Sequence, residues 1–495
     1  MFESKVRRSE LSGATSVLSF SDSKLEKLLS VANEASRHFI EKGNNIKVPA
    51  SLNYAWYNYE WCRDTAYGVM YIDDFVAYSN ELGLENNPEF AQVINKFKAY
   101  SPKVLSTLWD YLDRERTKIE QAGINWDVKN EISKFGSNHV LSRFDVTEGG
   151  TVVRAKPDIS AVLEPTSWLM QYDSVPLIII ATAKHIDRFG TSGLKGFTEK
   201  IRKNLQFFVD YIENFYQTPC ADAWEQYYFH GVEDTPIGKR MIGKTIDSYS
   251  VSSMASGLNH ASKLSEMLGI PLDVRKREKI SEFLANYFIS RDPEIGDFLA
   301  KSKIEYGKAI RSIGAEEIEI FNTFKPAGFA GTKIEENTVK AIEKYLFSGE
   351  MAPIRYKFFD EFSNVVDTYF AGGRWYHLAL QMAQYYIDKN RLPEAQKIID
   401  YISSKINEDG SIPEQELPSG PINDTAGYLA KNNGKPISCL FWAETAYLST
   451  LLKYTLASVS RGYPLPNVTL SMCCLSRTQS AVTQQINLHV SFESQ

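Results

Sequence analysis

The chain has 495 residues, enough for two to four domains of ordinary size or for one large domain. Apolar residues make up 43% and charged residues 23%, a globular composition that excludes a disordered or fibrous chain. The 61 acidic residues outnumber the 55 basic ones, whereas proteins that bind a phosphate backbone usually carry a basic excess. Nucleic acid is therefore not an expected partner.

The cysteine pattern and the hydropathy predict a cytoplasmic protein without a membrane segment. Five scattered cysteines form no CxxC motif and no Cys/His cluster, which favours a reducing compartment and predicts no structural zinc site. No apolar segment follows the basic residues near the N-terminus, so a secretory signal is not expected. The longest apolar run, residues 175–183, is too short to cross a bilayer.

Helical periodicity dominates residues 21–460. Apolar residues spaced three and four apart form one stripe from Leu194 to Phe215, a second from Ile280 to Phe288 and a third from Leu440 to Tyr454. Gly269 is expected to end the helix before it. Counting such segments predicts roughly a dozen helices. Several form pairs with short links, which implies antiparallel neighbours.

The helical region predicts one large domain, with extensions at both ends. We assign residues 1–20 to an N-terminal extension, 21–460 to the helical domain and 461–495 to a C-terminal appendage without an assigned role. Two stretches, 121–165 and 291–335, have weak periodicity and are interpreted as long excursions from the helical core. One helix is expected to end near 388, and the next is expected to run from 393 to 406.

Two short stretches combine aromatic rings with charged groups at predicted helix ends. In the first, Tyr57 and Trp61 precede Arg63 and Asp64. A guanidinium beside a carboxylate can donate to and accept from neighbouring sugar hydroxyls, and the rings offer flat faces to a sugar. The alternative is that Asp64 simply caps the helix that follows.

In the second stretch, Asp222 and Trp224 precede Glu225 and Gln226. A carboxyl group beside an indole can be desolvated, which raises its pKa and suits a general acid. The alternative is an ordinary acidic loop.

A third stretch, 410–415, places Glu414 after Pro413, which would stiffen the backbone before a catalytic base; the alternative is a plain turn. A fourth contains Arg355 and, further along, Gly372 and Gly373, which permit close backbone approach.

Taken in order, Trp-x-Arg-Asp, Trp-Glu and Pro-Glu-Gln on a helical chain resemble glycoside hydrolase family 15, the glucoamylase-like family. Further matches are residues 171–174 at the start of one helix and residues 442–444 on the last. The resemblance covers about residues 30–455. It implies an all-α (α/α)6 barrel, a six-hairpin toroid whose active site lies in the loops at one end.

The resemblance also implies residue roles. The family's general acid is the Glu directly after Trp, here Glu225, and its general base is the Glu of the Pro-Glu-Gln loop, here Glu414. These roles imply an inverting exo-acting α-glucosidase that releases glucose from non-reducing ends. The substrate-binding residues implied by the same matches are Tyr57, Trp61, Arg63, Asp64, Trp168, Asp222, Trp224, Gln226 and Arg355.

Some features depart from the family or leave alternatives open. Gln226 stands where the family has a second Glu, which removes a charge beside the acid. The substrate is expected to be an oligosaccharide or disaccharide, and starch-type, isomaltose-type and trehalose linkages all stay open. A non-catalytic glycan-binding barrel is a second hypothesis, and a terpenoid cyclase is a third, poorly supported one. No metal and no cofactor are expected, and the oligomeric state is open.

Overall fold

The computed structural model describes residues 16–20, 22–54, 57–124, 140–154, 171–191, 194–219, 232–235, 238–241, 245–304, 309–325, 328–359, 373–417, 437–461 and 468–472. The α-helices among them are α1 (Asp22–Arg37), α2 (Cys62–Glu81), α3 (Pro88–Gln121), α4 (Ser174–Phe189), α5 (Lys195–Phe215), α6 (Ser248–Leu268), α7 (Arg277–Tyr287), α8 (Lys333–Ile342), α9 (Tyr376–Asp388), α10 (Leu392–Ser403) and α11 (Phe441–Ser460). A short helix, Ile320–Phe324, lies between α7 and α8.

Short antiparallel strands occupy the connections. The ones near the candidate site are β4 (Glu60–Trp61), β5 (Arg143–Val146) and β6 (Val152–Arg154) in one sheet, β9 (Thr245–Asp247) with β12 (Ser302–Ile304), β13 (Ser312–Gly314) with β14 (Tyr356–Phe358), and β15 (Arg374–Trp375) with β16 (Gln415–Glu416). The others are β1 (Ser16–Phe20) with β17 (Val468–Met472), β2 (Ile40–Lys42) with β3 (Asn45–Lys47), β7 (Val232–Thr235) with β8 (Gly238–Met241), and β10 (Ile289–Asp292) with β11 (Gly296–Leu299).

The helices form two concentric layers. The inner layer is a closed ring in which each helix packs against the next: α2, α4, α6, the short helix, α9, α11 and again α2. The outer helices are α1, α3, α5, α7, α8 and α10. Along the chain an outer helix always precedes an inner one, so the described residues form six hairpins. This is the (α/α)6 barrel that was predicted.

The two layers differ in how their sequences bury apolar surface. α5 presents the predicted stripe, with Phe197, Ile201 and Leu205 buried and the intervening charged residues towards solvent. The inner helix α11 is buried on almost all sides, because it contacts helices in its own ring and in the outer one. A helix that is apolar around its circumference belongs in an interior, which explains why α11 lies in the inner ring.

The short inner helix corrects one sequence interpretation. Residues 291–335 were predicted to be a long excursion, but they include the helical residues Ile318–Phe324, which form the fourth member of the inner ring. Ile318, Ile320 and Phe324 are buried, and the segment is too short to show a stripe. The rest of the stretch includes the strands β11, β12 and β13.

Most predicted helix boundaries agree with the structure. α6 ends where Gly269 adopts φ +61°, a left-handed conformation that glycine takes without strain. α9 ends at Asp388 as predicted, whereas α10 ends at Ser403 rather than at 406. The chain leaves the helix there in a tight turn, in which the amide of Lys405 donates to the carbonyl of Ile402.

The two extensions contact each other. β1 pairs with β17 in an antiparallel register that places Ser16 opposite Met472 and Phe20 opposite Val468. Segments from the predicted N-terminal extension and C-terminal appendage therefore form one small sheet. Residues 473–495 of the predicted appendage lie outside the described part of the chain. In the described part, each helix is too short or too polar to span a bilayer.

A close approach between the inner helices α2 and α11 generates a stability prediction. A Cβ atom added at Gly68 of α2 would lie 2.0 Å from Cε1 of Phe441 on α11. We expect Gly68→Ala to lower the free energy of unfolding by about 2 kcal/mol, because overpacking forces the two helices apart.

The control is Gly196→Ala on the exposed face of α5, where an added Cβ meets nothing within 4 Å. That change should leave stability unchanged or raise it by up to about 1 kcal/mol. Urea unfolding followed by circular dichroism measures both variants. Equal stability of the two would contradict the tight α2–α11 contact.

Candidate active site

The N-terminal ends of the inner helices converge at one end of the barrel. Arg63 in the first turn of α2 contacts Asp173, which immediately precedes α4. His377 on α9 lies beside Trp375, just before α9, and beside Trp442 on α11. The connections that enter inner helices therefore meet at this end, where exposed backbone N–H groups give each helix a partial positive charge.

Arg63 is a buried cation held between two inner helices. Its Nε donates to Oδ2 of Asp173 at 2.5 Å, and the Asp173 side chain is fully buried. Its guanidinium also lies 5.9 Å from the ring centre of Tyr249 on α6. A buried guanidinium needs such partners, because its desolvation is costly without them. The ion pair fixes the guanidinium at the start of α2.

The structure corrects the capping alternative for Asp64. α2 begins at Cys62, and the residue before it, Trp61, makes no side-chain capping bond. Asp64 therefore lies inside the first turn, where a carboxylate is stabilised by the helix dipole. It is half-buried, beside the buried Arg63.

Glu414 is a buried carboxylate in the connection from α10 to α11, only 3% exposed. Its amide donates to the carbonyl of Ile437 at 2.8 Å, and its carbonyl accepts from the amide of Tyr376 at 3.3 Å. Its side chain accepts a hydrogen bond from the hydroxyl of Tyr57, with 3.0 Å between Oη and Oε1. Backbone and side chain are thus both fixed, and two predicted site residues lie in direct contact.

Aromatic rings lie around the hydrogen bond between Tyr57 and Glu414. The Tyr57 ring lies 5.2 Å from the ring of Tyr54 and 6.5 Å from that of Trp61. Trp61 in turn faces the buried guanidinium of Arg143, 5.3 Å away, and the same guanidinium lies 4.6 Å from the ring of Tyr59. These residues form a rigid aromatic wall beside Glu414, of the kind on which a sugar ring can stack.

Arg355 lies in the connection from α8 to α9, just before β14. Its carbonyl accepts from the amide of Ala315 at 2.7 Å, next to the short inner helix. Its guanidinium is buried and lies 4.7 Å from the ring centre of Trp375. The predicted arginine therefore belongs to the same end of the barrel as Arg63 and Glu414.

The buried imidazole of His377 lies close enough to Arg355 and Arg63 to be affected by both positive charges. Burial, together with the positive charges of Arg355 and Arg63, lowers the pKa of His377 to about 3. The imidazole is therefore neutral near pH 7 and can donate one hydrogen bond and accept another. Its ring centre lies 4.2 Å from that of Trp442.

Five predicted site residues lie outside the described part of the chain: Trp168, Asp222, Trp224, Glu225 and Gln226. Of the described ones, Tyr57, Trp61, Arg63, Arg355 and Glu414 lie at one end of the barrel.

Sequence reasoning missed the two further residues Arg143 and His377. Arg143 belongs to a stretch without readable periodicity, and nothing in its neighbourhood signals burial. His377 follows directly on the Gly-Gly-Arg-Trp segment, and that position is the only signal that could have found it.

Two groups of buried side chains among the described residues have possible metal-ligating atoms within 4.8 Å of one another. The first is Asp247, Glu316 and Glu317. Here Lys301 contributes the positive charge, since its Nζ lies 3.3 Å from Oδ2 of Asp247 and also contacts Glu316. Burial and the neighbouring Glu316 raise the pKa of Glu317, so this carboxyl tends to hold a proton. The second group is Glu34, Cys439 and Glu444.

Comparison with known proteins identifies the fold. No family model matches the sequence, and no curated protein matches it either. Solved structures do match. A wild-type glycosidase is 16% identical, with 88% of this chain and 99% of that one covered and a TM-score of 0.60. A glycosidase variant in complex with glucose is 15% identical over the same shares, also with a TM-score of 0.60.

The glycoside hydrolase family 15 glucoamylase from Hypocrea jecorina is 13% identical. In that comparison, 90% of this chain and 73% of the other are covered, with a TM-score of 0.51. The chain therefore has the (α/α)6 fold of these glycosidases and glucoamylases, which confirms the predicted resemblance at the level of the fold.

The lowered pKa of His377 generates a prediction about acid stability. The unfolded chain binds a proton at this site below its ordinary pKa of 6.5, whereas the folded protein does so only near 3. Stability is therefore lost as the pH falls from 6.5 towards 3. At pH 4 the loss from this one group is about 3 kcal/mol.

We expect His377→Gln to flatten the dependence of the melting temperature on pH between 6.5 and 4. The difference between wild type and variant at pH 8, where neither state titrates at this site, supplies the baseline for lost packing. If the melting temperatures of the two proteins depend on pH in the same way across the whole range, His377 is not the source of the lost stability.

Proposed function

We propose that this protein is a glycoside hydrolase, an inverting exo-acting α-glucosidase. The observation that carries the proposal is the fixed, buried carboxylate of Glu414, bonded to Tyr57 at the end of the barrel where the inner helices begin. The amide and the carbonyl of Glu414 are both hydrogen-bonded, and its carboxylate accepts from one hydroxyl. A carboxylate fixed in this way suits a general base that must hold one water molecule in a fixed position. The glycosidase fold agrees with this role.

In the proposed mechanism Glu414 removes a proton from water as that water attacks the anomeric carbon. Glu225 gives its proton to the leaving glycosidic oxygen, and no covalent intermediate forms. Inversion requires the two carboxyl groups to stand about 6.5–9.5 Å apart, so that a water molecule fits between base and sugar. The protons balance, because the acid loses one and the base gains one in each turnover.

Chain connectivity supports Glu225 as the partner acid. The segment with Glu225 follows α5, whose last residue, Phe215, stacks on Tyr172 with ring centres 5.2 Å apart, next to the start of α4. The segment leads to α6, where Tyr249 lies beside Arg63. The end of α5 and the start of α6, which flank this connection, therefore lie at the same end of the barrel as Glu414, as an acid facing the base requires.

The side of the site that contains Arg63 and Arg355 suits a terminal sugar residue. We propose that Arg63 and Asp64 bind the distal hydroxyls of the non-reducing glucose and thereby make the enzyme exo-acting. Arg63 is already fixed by Asp173, so little side-chain entropy is lost when a sugar binds. Trp61 and Arg355 would line the same subsite.

The residues outside the described part complete the proposed site. Trp168 would stack on the substrate, Asp222 would orient the Trp224–Glu225 turn, and Gln226 would contact the leaving-group side.

The test of the proposal uses maltose, isomaltose, trehalose and soluble starch, with the anomer of released glucose followed by proton NMR. We expect β-glucose as the first product from at least one of them, because water attacks the face opposite the leaving oxygen. First release of α-glucose from the non-reducing end of starch would contradict the assigned roles, whereas trehalose should give one β-glucose and one α-glucose, because its leaving glucose keeps the α configuration. Absence of hydrolysis of every substrate, with sugar binding retained, would favour a glycan-binding barrel instead.

The proposed base generates a mutational prediction. Glu414→Gln should lower kcat by about 10²–10⁴-fold while substrate binding stays within a few-fold, because the amide keeps the shape but cannot accept the proton. Glu225→Gln should lower kcat similarly for substrates with poor leaving groups. Steady-state kinetics and sugar titrations by calorimetry measure the two effects.

The matched control is Glu408→Gln, an exposed carboxyl in the turn after α10. It changes the same chemical group only a few residues away and should leave kcat unchanged. A Glu414→Gln enzyme that keeps wild-type turnover would remove the general base from the proposal.

A further inference from the structure

Four buried side chains meet where α1 packs beside the start of α11. Glu34 and His38 come from the last turn of α1 and the residue after it, and Cys439 and Glu444 from the entry to α11 and its first turn. All four are at most 3% exposed. We refer to them as the α1–α11 cluster.

The donor atoms of this cluster lie close together. Those of Glu34, Cys439 and Glu444 are all within 4.8 Å of one another. Sγ of Cys439 lies 3.1 Å from Oε1 of Glu34, and Nε2 of His38 lies 3.4 Å from Oε2 of Glu444. Nε2 of His38 lies outside this group of three and is close to Glu444, so it must move inwards to complete a tetrahedral site. In such a site, ligands with bonds of ~2.0–2.3 Å stand about 3.3–3.8 Å apart.

The hydrogen bonding of His38 leaves one ring nitrogen directed into the cluster. Nδ1 lies 2.7 Å from the carbonyl oxygen of Pro49, and a carbonyl can only accept, so Nδ1 carries the proton. In the neutral ring Nε2 then presents a lone pair to Glu444. Metal-binding histidines are commonly held in this way, by a bond from the other nitrogen to a carbonyl.

Glu444 is the second sign of a ligand. Its carboxylate is fully buried, and neither oxygen makes a hydrogen bond of ordinary geometry to a described residue, although the backbone of Ile412 and Nε2 of His38 lie beside it. A buried carboxylate opposite a nitrogen lone pair needs a positive charge or a proton between them.

We propose that the α1–α11 cluster binds one divalent transition-metal ion of the zinc type, with Sγ of Cys439, Nε2 of His38 and one oxygen each from Glu34 and Glu444 as ligands. Sulfur, imidazole and carboxylate together are a donor set that suits zinc. On binding, the Cys439 thiol and the Glu444 carboxyl release their protons to solvent.

The charges then balance. The thiolate and two carboxylates carry three negative charges, which the ion and the guanidinium of Arg37, 2.6 Å from Glu34, offset. No further counter-charge is required inside the barrel.

The ion would hold together the segments that position the candidate active site. Asn53 donates to Sγ of Cys439 at 2.8 Å, and the amide of Phe441 donates to the carbonyl of Ala50 at 3.0 Å. The segment that leads into α11 also contains Ile437, whose carbonyl binds the amide of Glu414. The site is therefore structural, and it is independent of the proposed hydrolase activity.

The first test measures metal content by elemental mass spectrometry, on protein expressed in zinc-supplemented medium and dialysed against buffer without metal. We expect about one equivalent of zinc and a lower melting temperature after removal by a chelator. Trace metal only, together with an unchanged melting temperature when zinc is added back, would overturn the proposal.

The second test uses cobalt, because a thiolate bound to Co²⁺ produces a charge-transfer absorption. Protein expressed with Co²⁺ should show this band, and Cys439→Ser should lose it. Cys62→Ser is the matched control, since Cys62 is the other buried free cysteine of the described chain. A band that persists in Cys439→Ser, or is lost equally in Cys62→Ser, would overturn the assignment.

A third variant, Glu444→Gln, covers the case in which Cys439→Ser does not fold. It keeps the shape of the side chain and should reduce zinc affinity by at least ten-fold. An unchanged affinity would show that Glu444 is not a ligand.

Discussion

The packing of α2 against α11 is the constraint on which the rest of the molecule depends. These helices come from opposite ends of the helical domain, and their contact closes the inner ring. Gly68 permits this contact, because Phe441 occupies the space in which any larger side chain would project. Closure also brings Tyr57, just ahead of α2, to Glu414 in the connection from α10 to α11. The contact between Tyr57 and Glu414 therefore forms only when α2 and α11 are packed together.

The second constraint is the burial of charge at one end of this ring. Arg63, Arg143, Arg355 and Glu414 are all nearly inaccessible to solvent. Burying ions costs several kcal/mol for each one before pairing is counted, and buried ion pairs are often no better for stability than apolar residues of the same size. Ionic groups at this position therefore point to a role beyond stability. Burial, together with the charges of Arg355 and Arg63, lowers the pKa of His377 and keeps it neutral near pH 7, which limits the net positive charge of the site.

Local patterns in the sequence predicted the outer helices well and the connections poorly. The stripe of α5 has one face to bury, so its period is visible in the sequence. The short inner helix has no such period, because a segment of that length surrounded by protein has no solvent face. Glu414 could be found because a rigid Pro-Glu-Gln segment follows a helix. Arg143 could not, since its partners Tyr59 and Trp61 are far away in the chain.

The sequence by itself determined the helical class, the antiparallel helix pairs and the short motifs that combine aromatic rings with charged groups, because each depends on residues within a few turns of one another. Only the tertiary structure decided which of these motifs meet. The bond between Tyr57 and Glu414 joins positions 357 residues apart, and the contact between Cys439 and Glu34 joins positions 405 apart. Such pairs leave no periodic signal, because their proximity follows from closing a ring of helices and not from any spacing along the chain.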